Sequence, residues 1–134
     1  MSRPIALVVD TDAALRALMR RALESAGYEV VEASGQADLT ESLLLPGLAL
    51  AGRILVVSTH SIALACREAL TAAARRRADA GSSPVSLLLT CELGTAARCT
   101  RLEPPGCVSA GLLEKPFDFE SLAGPFNGVG VAAV

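Results

Sequence analysis

Aromatic residues are scarce in this chain: of 134 residues, three are Phe, one is Tyr and none is Trp. A surface that stacks nucleic-acid bases needs several exposed rings, so the composition argues against that kind of site. Hydrophobic residues still make up 51% of the sequence, and the core must therefore be built from Ala, Leu and Val. This content suits helices and aliphatic strands, and the length is sufficient for one domain with a sizeable core.

The charges are nearly balanced, with 12 Lys and Arg against 14 Asp and Glu. The net charge is −2 and the isoelectric point about 5.4, so we expect no broad nucleic-acid-binding surface. The one basic run, Arg75-Arg76-Arg77, is interpreted as the solvated end of a helix. No apolar segment approaches the roughly 18 residues that cross a bilayer, and the N-terminus lacks a signal-peptide pattern. We therefore expect a cytoplasmic protein without membrane contact.

No Cys-x-x-Cys pair occurs, and the single histidine, His60, is not spaced to complete a zinc site with the cysteines. The sequence thus predicts buried or unreactive thiols and no metal centre built on them. The four cysteines are Cys66, Cys91, Cys99 and Cys107.

Apolar runs alternate with helical patterns five times along the chain. The predicted strands are 4–9, 28–34, 53–58, 85–89 and 107–113. The first predicted helix begins after an N-cap at Asp12 and stops at Gly27. The other predicted helices cover 36–45, 61–79, 92–101 and 118–123. Because the strands are apolar on both faces, we expect a parallel sheet covered by helices on each side, a three-layer α/β/α sandwich.

Polar residues directly follow four of these strands: Asp10, Ser58, Thr90 and Lys115. In an open parallel sheet, ligands bind beyond the carboxyl ends of the strands. We call this edge of the sheet the rim, and we expect the four side chains to meet there.

Three segments together resemble the receiver domain of two-component response regulators: "IALVVDTDAALRALMRRALESAGYEVVEAS", "PVSLLLT" and "LLEKPFDFESL". The resemblance spans about residues 4–123. It implies a flavodoxin-like sheet in the strand order 2-1-3-4-5, a receiver-like domain over residues 1–125 and an uncharged, apolar tail over 126–134.

The resemblance also implies a chemistry. In that family an aspartate closing the third strand accepts a phosphoryl group from a histidine kinase, and an acidic pair after the first strand holds Mg²⁺. A Thr and a Lys contact the phosphoryl oxygens. Phosphoryl transfer of this kind requires a carboxylate nucleophile and a hard cation that neutralises the developing charge.

This sequence departs from the family pattern at the decisive positions. Ser58 matches the phosphoacceptor, and Thr11 stands where the second acid belongs, so one carboxylate, Asp10, remains of three. Because neutral hydroxyls do not replace carboxylates as Mg²⁺ ligands, we expect weak or absent Mg²⁺ binding and no cofactor. Leu112 occupies the place of the aromatic ring that reports phosphorylation. Asp12 is better explained as a helix cap.

Structural roles compete with functional ones at each position. Lys115 either binds an anion or forms an ion pair with Asp10. The Thr90 hydroxyl either contacts a ligand or forms a hydrogen bond with the nearby backbone. The Ser58 hydroxyl is expected to form a hydrogen bond locally or with Lys115. A nucleophilic pair of Ser58 and His60 has no orienting acid or oxyanion hole in the sequence, so we do not expect an enzyme.

The sequence therefore predicts a degenerate receiver domain that regulates signalling or transcription through protein–protein contacts. The expected partners are a histidine kinase, an output domain or a second copy in a homodimer. The resemblance implies that the contact surface is formed by the fourth and fifth helices and the strand between them. One alternative is an anion or small-ligand sensor using Ser58, Thr90 and Lys115. Another is an active receiver that accepts the phosphoryl group on an unorthodox residue such as Asp10 or Asp12.

Overall fold

The computed structural model of the protein describes residues 4–92, 94, 104–117 and 122. Its strands are β1 (Pro4–Val9), β2 (Glu29–Ala33), β3 (Arg53–Thr59), β4 (Val85–Cys91) and β5 (Cys107–Glu114). Its helices are α1 (Ala13–Ser25), α2 (Gln36–Leu43), α3 (His60–Ala65) and α4 (Arg67–Asp79), with a 3-10 turn at Pro46–Leu50.

The strands form one parallel sheet in the order β2-β1-β3-β4-β5, which confirms the predicted fold class. Helices α2, α3 and α4 supply Leu39, Ala63 and Leu70 to the buried cluster on one face of the sheet. Helix α1 supplies Met19 and Leu23 to the cluster on the other face. Strands β1 and β3 contribute alternate residues to each cluster, as a strand with two buried faces must.

Helix α1 begins and ends where its capping residues predict. The Asp12 carboxylate accepts hydrogen bonds from the amides of Ala14 and Leu15 at 3.0 and 3.2 Å, which identifies it as the N-cap. The chain leaves the helix through Gly27, whose φ of 97° lies in the left-handed region that glycine adopts without strain.

The long helix predicted over 61–79 is interrupted. Helix α3 ends at Ala65, Cys66 has φ −99° and ψ 16°, and α4 begins at Arg67. The Cys66 thiol donates to the carbonyl oxygen of Gln36 at 3.6 Å. Buried positions continue through the break at helical spacing, and a periodicity pattern therefore does not register it.

The prediction that the arginine run is a solvated helix end is wrong for Arg77, which is buried. Its Nη1 donates to the carbonyl oxygens of Leu48 and Ala51 at 3.0 and 2.9 Å. Its Nε donates to the carbonyl oxygen of Ser83 at 2.8 Å, and Nη2 to the Ser83 hydroxyl at 3.1 Å. Burial lowers the pKa of this guanidinium. Arg77 thus links α4 to the segment that precedes β3 and to the segment that precedes β4.

Three cysteines are described, and their surroundings agree with the prediction of unreactive thiols. Cys66 and Cys91 are buried, and burial raises the pKa of the half-buried Cys107 to about 11. At neutral pH this thiol is protonated and is a poor nucleophile. Cys99 lies outside the described residues.

Several predicted features lie outside the described part of the chain. They are the helix over 92–101 apart from residues 92 and 94, the helix over 118–123 apart from the helical Leu122, the domain boundary at 125 and the tail 126–134. Among the described residues, no helix combines the length and apolar content needed to cross a bilayer.

Candidate functional site

The candidate site lies at the rim, where the parallel strands end together. Strand register sets which rim residues are level with one another: Val9 pairs with Ser58, and Thr59 pairs with Thr90. Asp10 is one residue beyond Val9 and is therefore level with Thr59. Lys115 follows β5 directly, and its amide donates to the carbonyl oxygen of Cys91 at 2.8 Å, which fixes its backbone beside the end of β4.

Asp10 and Lys115 form a direct ion pair at this rim. Lys115 Nζ donates to Asp10 Oδ2 at 2.9 Å. The Lys115 side chain is 17% exposed and the Asp10 side chain 2%. The amide of Asp12 donates to Asp10 Oδ1 at 2.9 Å, so both oxygens of the carboxylate have partners. The ion pair considered from the sequence is therefore present. Each charge is compensated inside the protein.

The surrounding groups hold this pair in place. Arg16 Nη1 donates to the carbonyl oxygen of Asp10 at 2.6 Å, and Lys115 Nζ also reaches Glu92 Oε1 at 3.4 Å. Burial by itself lowers the pKa of Lys115, but the hydrogen bond and attraction of Asp10, with a smaller contribution from Glu92, outweigh it and raise that pKa. Lys115 is therefore charged at all physiological pH values.

Ser58 is fully buried, and its hydroxyl donates to the carbonyl oxygen of Thr59 at 2.9 Å. This is the local hydrogen bond expected for an inert residue. His60 begins α3 and does not receive the Ser58 proton, so the structure contains no Ser–His nucleophilic pair at these two residues.

Thr90 is also fully buried, but its hydroxyl oxygen has no hydrogen-bond partner in the described part of the chain. The predicted bond from Thr90 to local backbone is therefore not found there. A buried hydroxyl without a hydrogen-bond partner costs folding free energy, so such a group indicates a position where a ligand or a water molecule supplies the hydrogen bond.

A pocket of about 350 Å³ opens at the rim. We call it the rim pocket; its lining residues are Asp10, Thr11, Thr59, His60, Ser61, Ile62, Thr90, Cys91, Glu92 and Lys115. Four of the five predicted site residues thus meet, whereas Ser58 does not line the pocket.

Sequence reasoning missed Thr59 and Glu92 as rim residues. Glu92 follows Thr90 by two positions, and its carboxylate contacts the ammonium of Lys115. Its position after a predicted strand was a usable signal, because the carboxyl ends of all the strands meet at this edge. Thr59 was missed because the apolar run ends at Val57, which makes Ser58 the first polar residue after the strand.

The rim pocket is poor in metal ligands. Within the described residues, no group of three or more His, Cys, Asp and Glu side chains is placed to hold a metal ion. Among the residues that the structure describes, the carboxylates that form ion pairs with Lys115 are those of Asp10, which is already paired, and Glu92, which is 74% exposed.

Leu112, at the predicted switch position, pairs with Leu89 on β4 and is 38% exposed. It therefore lies on the outer strand of the described sheet and is only partly packed. The peptide bond between Lys115 and Pro116 is cis, a point that the sequence left open.

No protein-family model matches the chain, and no curated protein matches it. Solved structures do resemble it. A CheY-like response regulator receiver domain protein from Methanospirillum hungatei JF-1 superposes with a TM-score of 0.64 at 14% identity, over 97% of this chain and 96% of the other. The chemotaxis response regulator CheY4 of Vibrio cholerae gives a TM-score of 0.56 at 21% identity, over 96% and 99% of the two chains.

A third similar structure is a response regulator protein from Burkholderia pseudomallei, with a TM-score of 0.54 at 17% identity over 96% of this chain and 69% of the other. That crystal structure contains a phosphorylated aspartic acid, a calcium ion and citrate. At these identities the likeness establishes the fold: the chain has the CheY-like, flavodoxin-like architecture of receiver domains.

Proposed function

We propose that this protein is a degenerate receiver domain of two-component signalling that is not phosphorylated by the aspartyl route. The observation that carries the proposal is the state of Asp10. It is the one carboxylate left from the family's acidic set, and it is already paired with Lys115 and with the amide of Asp12. Its two neighbours at the rim carry neutral hydroxyls. Thr11 follows Asp10 in the sequence, and Thr59 is level with Asp10 on β3.

The same arrangement disfavours Mg²⁺. A protein-bound Mg²⁺ takes octahedral oxygen ligands and is usually held through one or two carboxylates together with waters or phosphate oxygens. To bind the ion, Asp10 would have to leave Lys115, and Thr11 offers only a neutral hydroxyl in compensation. On this proposal Mg²⁺ binding is weak or absent, and the protein requires no cofactor.

A receiver domain without phosphorylation acts by binding other proteins. The expected partners remain a histidine kinase, an output domain or a second copy of the chain, and the cellular location is the cytoplasm. The receiver-like fold supports this class of function, in which the domain is a signalling module and not an enzyme. Leu112 carries no hydroxyl, so a ring-and-hydroxyl switch at this position is lost with the acceptor.

Incubation with acetyl phosphate and Mg²⁺, followed by intact mass spectrometry, tests the proposal. The expected result is an unchanged mass. An adduct of one phosphoryl group that alkali removes would overturn it. If such an adduct forms, the variants Asp10→Asn and Asp12→Asn identify an unorthodox acceptor, because only the variant that lacks the acceptor loses the adduct.

A second candidate is an anion sensor, and the unpartnered hydroxyl of Thr90 beside Lys115 is the observation in its favour. Two features weigh against it: Ser58 does not line the rim pocket, and Lys115 is compensated by Asp10 and Glu92. A sulfate or phosphate titration monitored by melting temperature separates the candidates. A rise at constant ionic strength that disappears in Lys115→Ala would favour the sensor.

A further inference from the structure

We infer that Thr59, and not Ser58, stands at the rim position that decides whether this site can take up a divalent cation and a phosphoryl group. The inference rests on the proposed function and specifies which residue of the rim carries the loss. It also corrects the alignment by apolar runs, in which Ser58 follows "ILVV" as Asp10 follows "ALVV".

The strand register places Thr59, and not Ser58, level with Asp10. Ser58 pairs with Val9 on β1 and with Leu89 on β4, one residue short of the polar ends of those strands. Thr59 pairs with Thr90 and, by the same register, is level with Asp10. The row that crosses the sheet at the rim is therefore Asp10, Thr59 and Thr90.

The buried clusters on the two faces of the sheet agree with this register. Val8, Val57 and Leu88 belong to the buried cluster on the α1 face. Side chains alternate along a strand, so Asp10, Thr59 and Thr90, each two residues later, are directed to that same face. Ser58 follows Val56 by two residues, and Val56 belongs to the cluster on the α2 face. The Ser58 side chain is thus directed to the opposite face from Asp10.

Burial and hydrogen bonding agree with this placement. Ser58 is fully buried and uses its hydroxyl on the Thr59 carbonyl oxygen, whereas Thr59 is half-buried and lines the rim pocket with Lys115. The Thr59 hydroxyl also accepts from the amide of Ile62 at 3.4 Å as the N-cap of α3. Asp and Asn cap helices at least as well as Thr, so both can replace Thr59 without loss of the cap.

The experiment compares carboxylates at the two positions in a shared Thr11→Asp background, since Thr11 is exposed and lines the pocket. The variants are Thr59→Asp, its uncharged and equally capping control Thr59→Asn, and Ser58→Asp. Mg²⁺ alone is the probe, and melting temperature is the first measurement. Intact mass after treatment with acetyl phosphate is the second.

We expect saturating Mg²⁺ to raise the melting temperature of the Thr59→Asp protein by about 4 °C or more and to leave the Thr59→Asn protein unchanged. Only Thr59→Asp should gain an alkali-labile phosphoryl mass. Ser58→Asp places a charge where no solvent reaches, and it should melt lower than its parent at every Mg²⁺ concentration.

The inference is overturned if Thr59→Asp responds to Mg²⁺ no more than Thr59→Asn, or if Ser58→Asp responds as strongly. The first comparison does not depend on Ser58→Asp folding. Phosphorylation of the unmodified protein is a separate outcome: it would overturn the proposed function, while the comparison of the Asp and Asn variants at residue 59 would still decide this inference.

Discussion

Lys115 Nζ lies 2.9 Å from Asp10 Oδ2 and joins the ends of β5 and β1 across 105 residues of sequence. The two ends of this pair are unequally buried, with 2% of the Asp10 side chain and 17% of the Lys115 side chain exposed. The consequences of removing either partner should therefore differ.

Lys115→Met leaves the Asp10 carboxylate buried without its counter-charge, and we expect a loss of about 3–5 kcal/mol in the free energy of unfolding. Asp10→Asn should cost about 1–3 kcal/mol, because Lys115 is nearer to solvent and keeps Glu92. Urea denaturation at pH 7 measures both. The double variant should be more stable than Lys115→Met alone, and strictly additive losses would contradict a direct coupling.

The pair also predicts a pH dependence. Since the fold raises the pKa of Lys115, its stabilising contribution is complete below the ordinary lysine pKa of about 10.4 and is lost as the pH rises through the higher value in the fold. The stability difference between the unmodified protein and Lys115→Met should be constant from about pH 6 to about pH 9 and should shrink above about pH 10.5. A difference that falls already near neutral pH would show that another group titrates at the rim.

Arg77 and Arg75 provide a matched pair within one basic run. Arg77→Met removes the donors to the carbonyl oxygens of Leu48, Ala51 and Ser83, and we expect a loss of about 3 kcal/mol in unfolding free energy. Arg75 is exposed, and Arg75→Ala should change stability by no more than about 0.5 kcal/mol. Chemical denaturation of both variants checks the contrast. Equal effects would argue against the buried position of Arg77.

Gly106 and Gly81 separate backbone strain from steric conflict. Both have a positive φ, 83° and 73°, but a Cβ at Gly106 would lie 2.9 Å from the Cβ of Ala74, whereas a Cβ at Gly81 meets nothing within 4 Å. We expect Gly81→Ala to cost about 1 kcal/mol from strain alone and Gly106→Ala about 1–3 kcal/mol more. Thermal denaturation gives the comparison.

A further substitution isolates the contact of Gly106 with α4. Adding Ala74→Gly to Gly106→Ala should recover part of the loss, because it removes the atom that the new side chain meets. A double variant that shows only the summed losses of its two substitutions would place the cost of Gly106→Ala in the backbone.

Local patterns were sufficient for most of the architecture. Strands β1, β3 and β4 each contain a short apolar run closed by polar or turn residues, and β2 is marked by its β-branched pair Val30-Val31. Asp12 and Gly27 bound the first helix by chemistry that acts within a few residues. Alternation of strands and helices then admits few arrangements, so the parallel three-layer fold followed from the sequence. The break between α3 and α4 at Cys66 was not predicted, because the buried residues keep the same helical spacing on both sides of it.

Relations between distant parts of the chain were decided only in three dimensions. The sequence predicts a solvated Arg77, but in the fold its guanidinium donates to the carbonyl oxygens of Ala51 and Leu48, 26 and 29 residues away. Ser58 reads as the rim residue until the register with β1 and β4 places Thr59 there instead. An apolar run records that a strand is buried, but it does not record where its neighbours end; lateral hydrogen bonding between strands sets that level, and a shift of one residue moves a side chain to the other face.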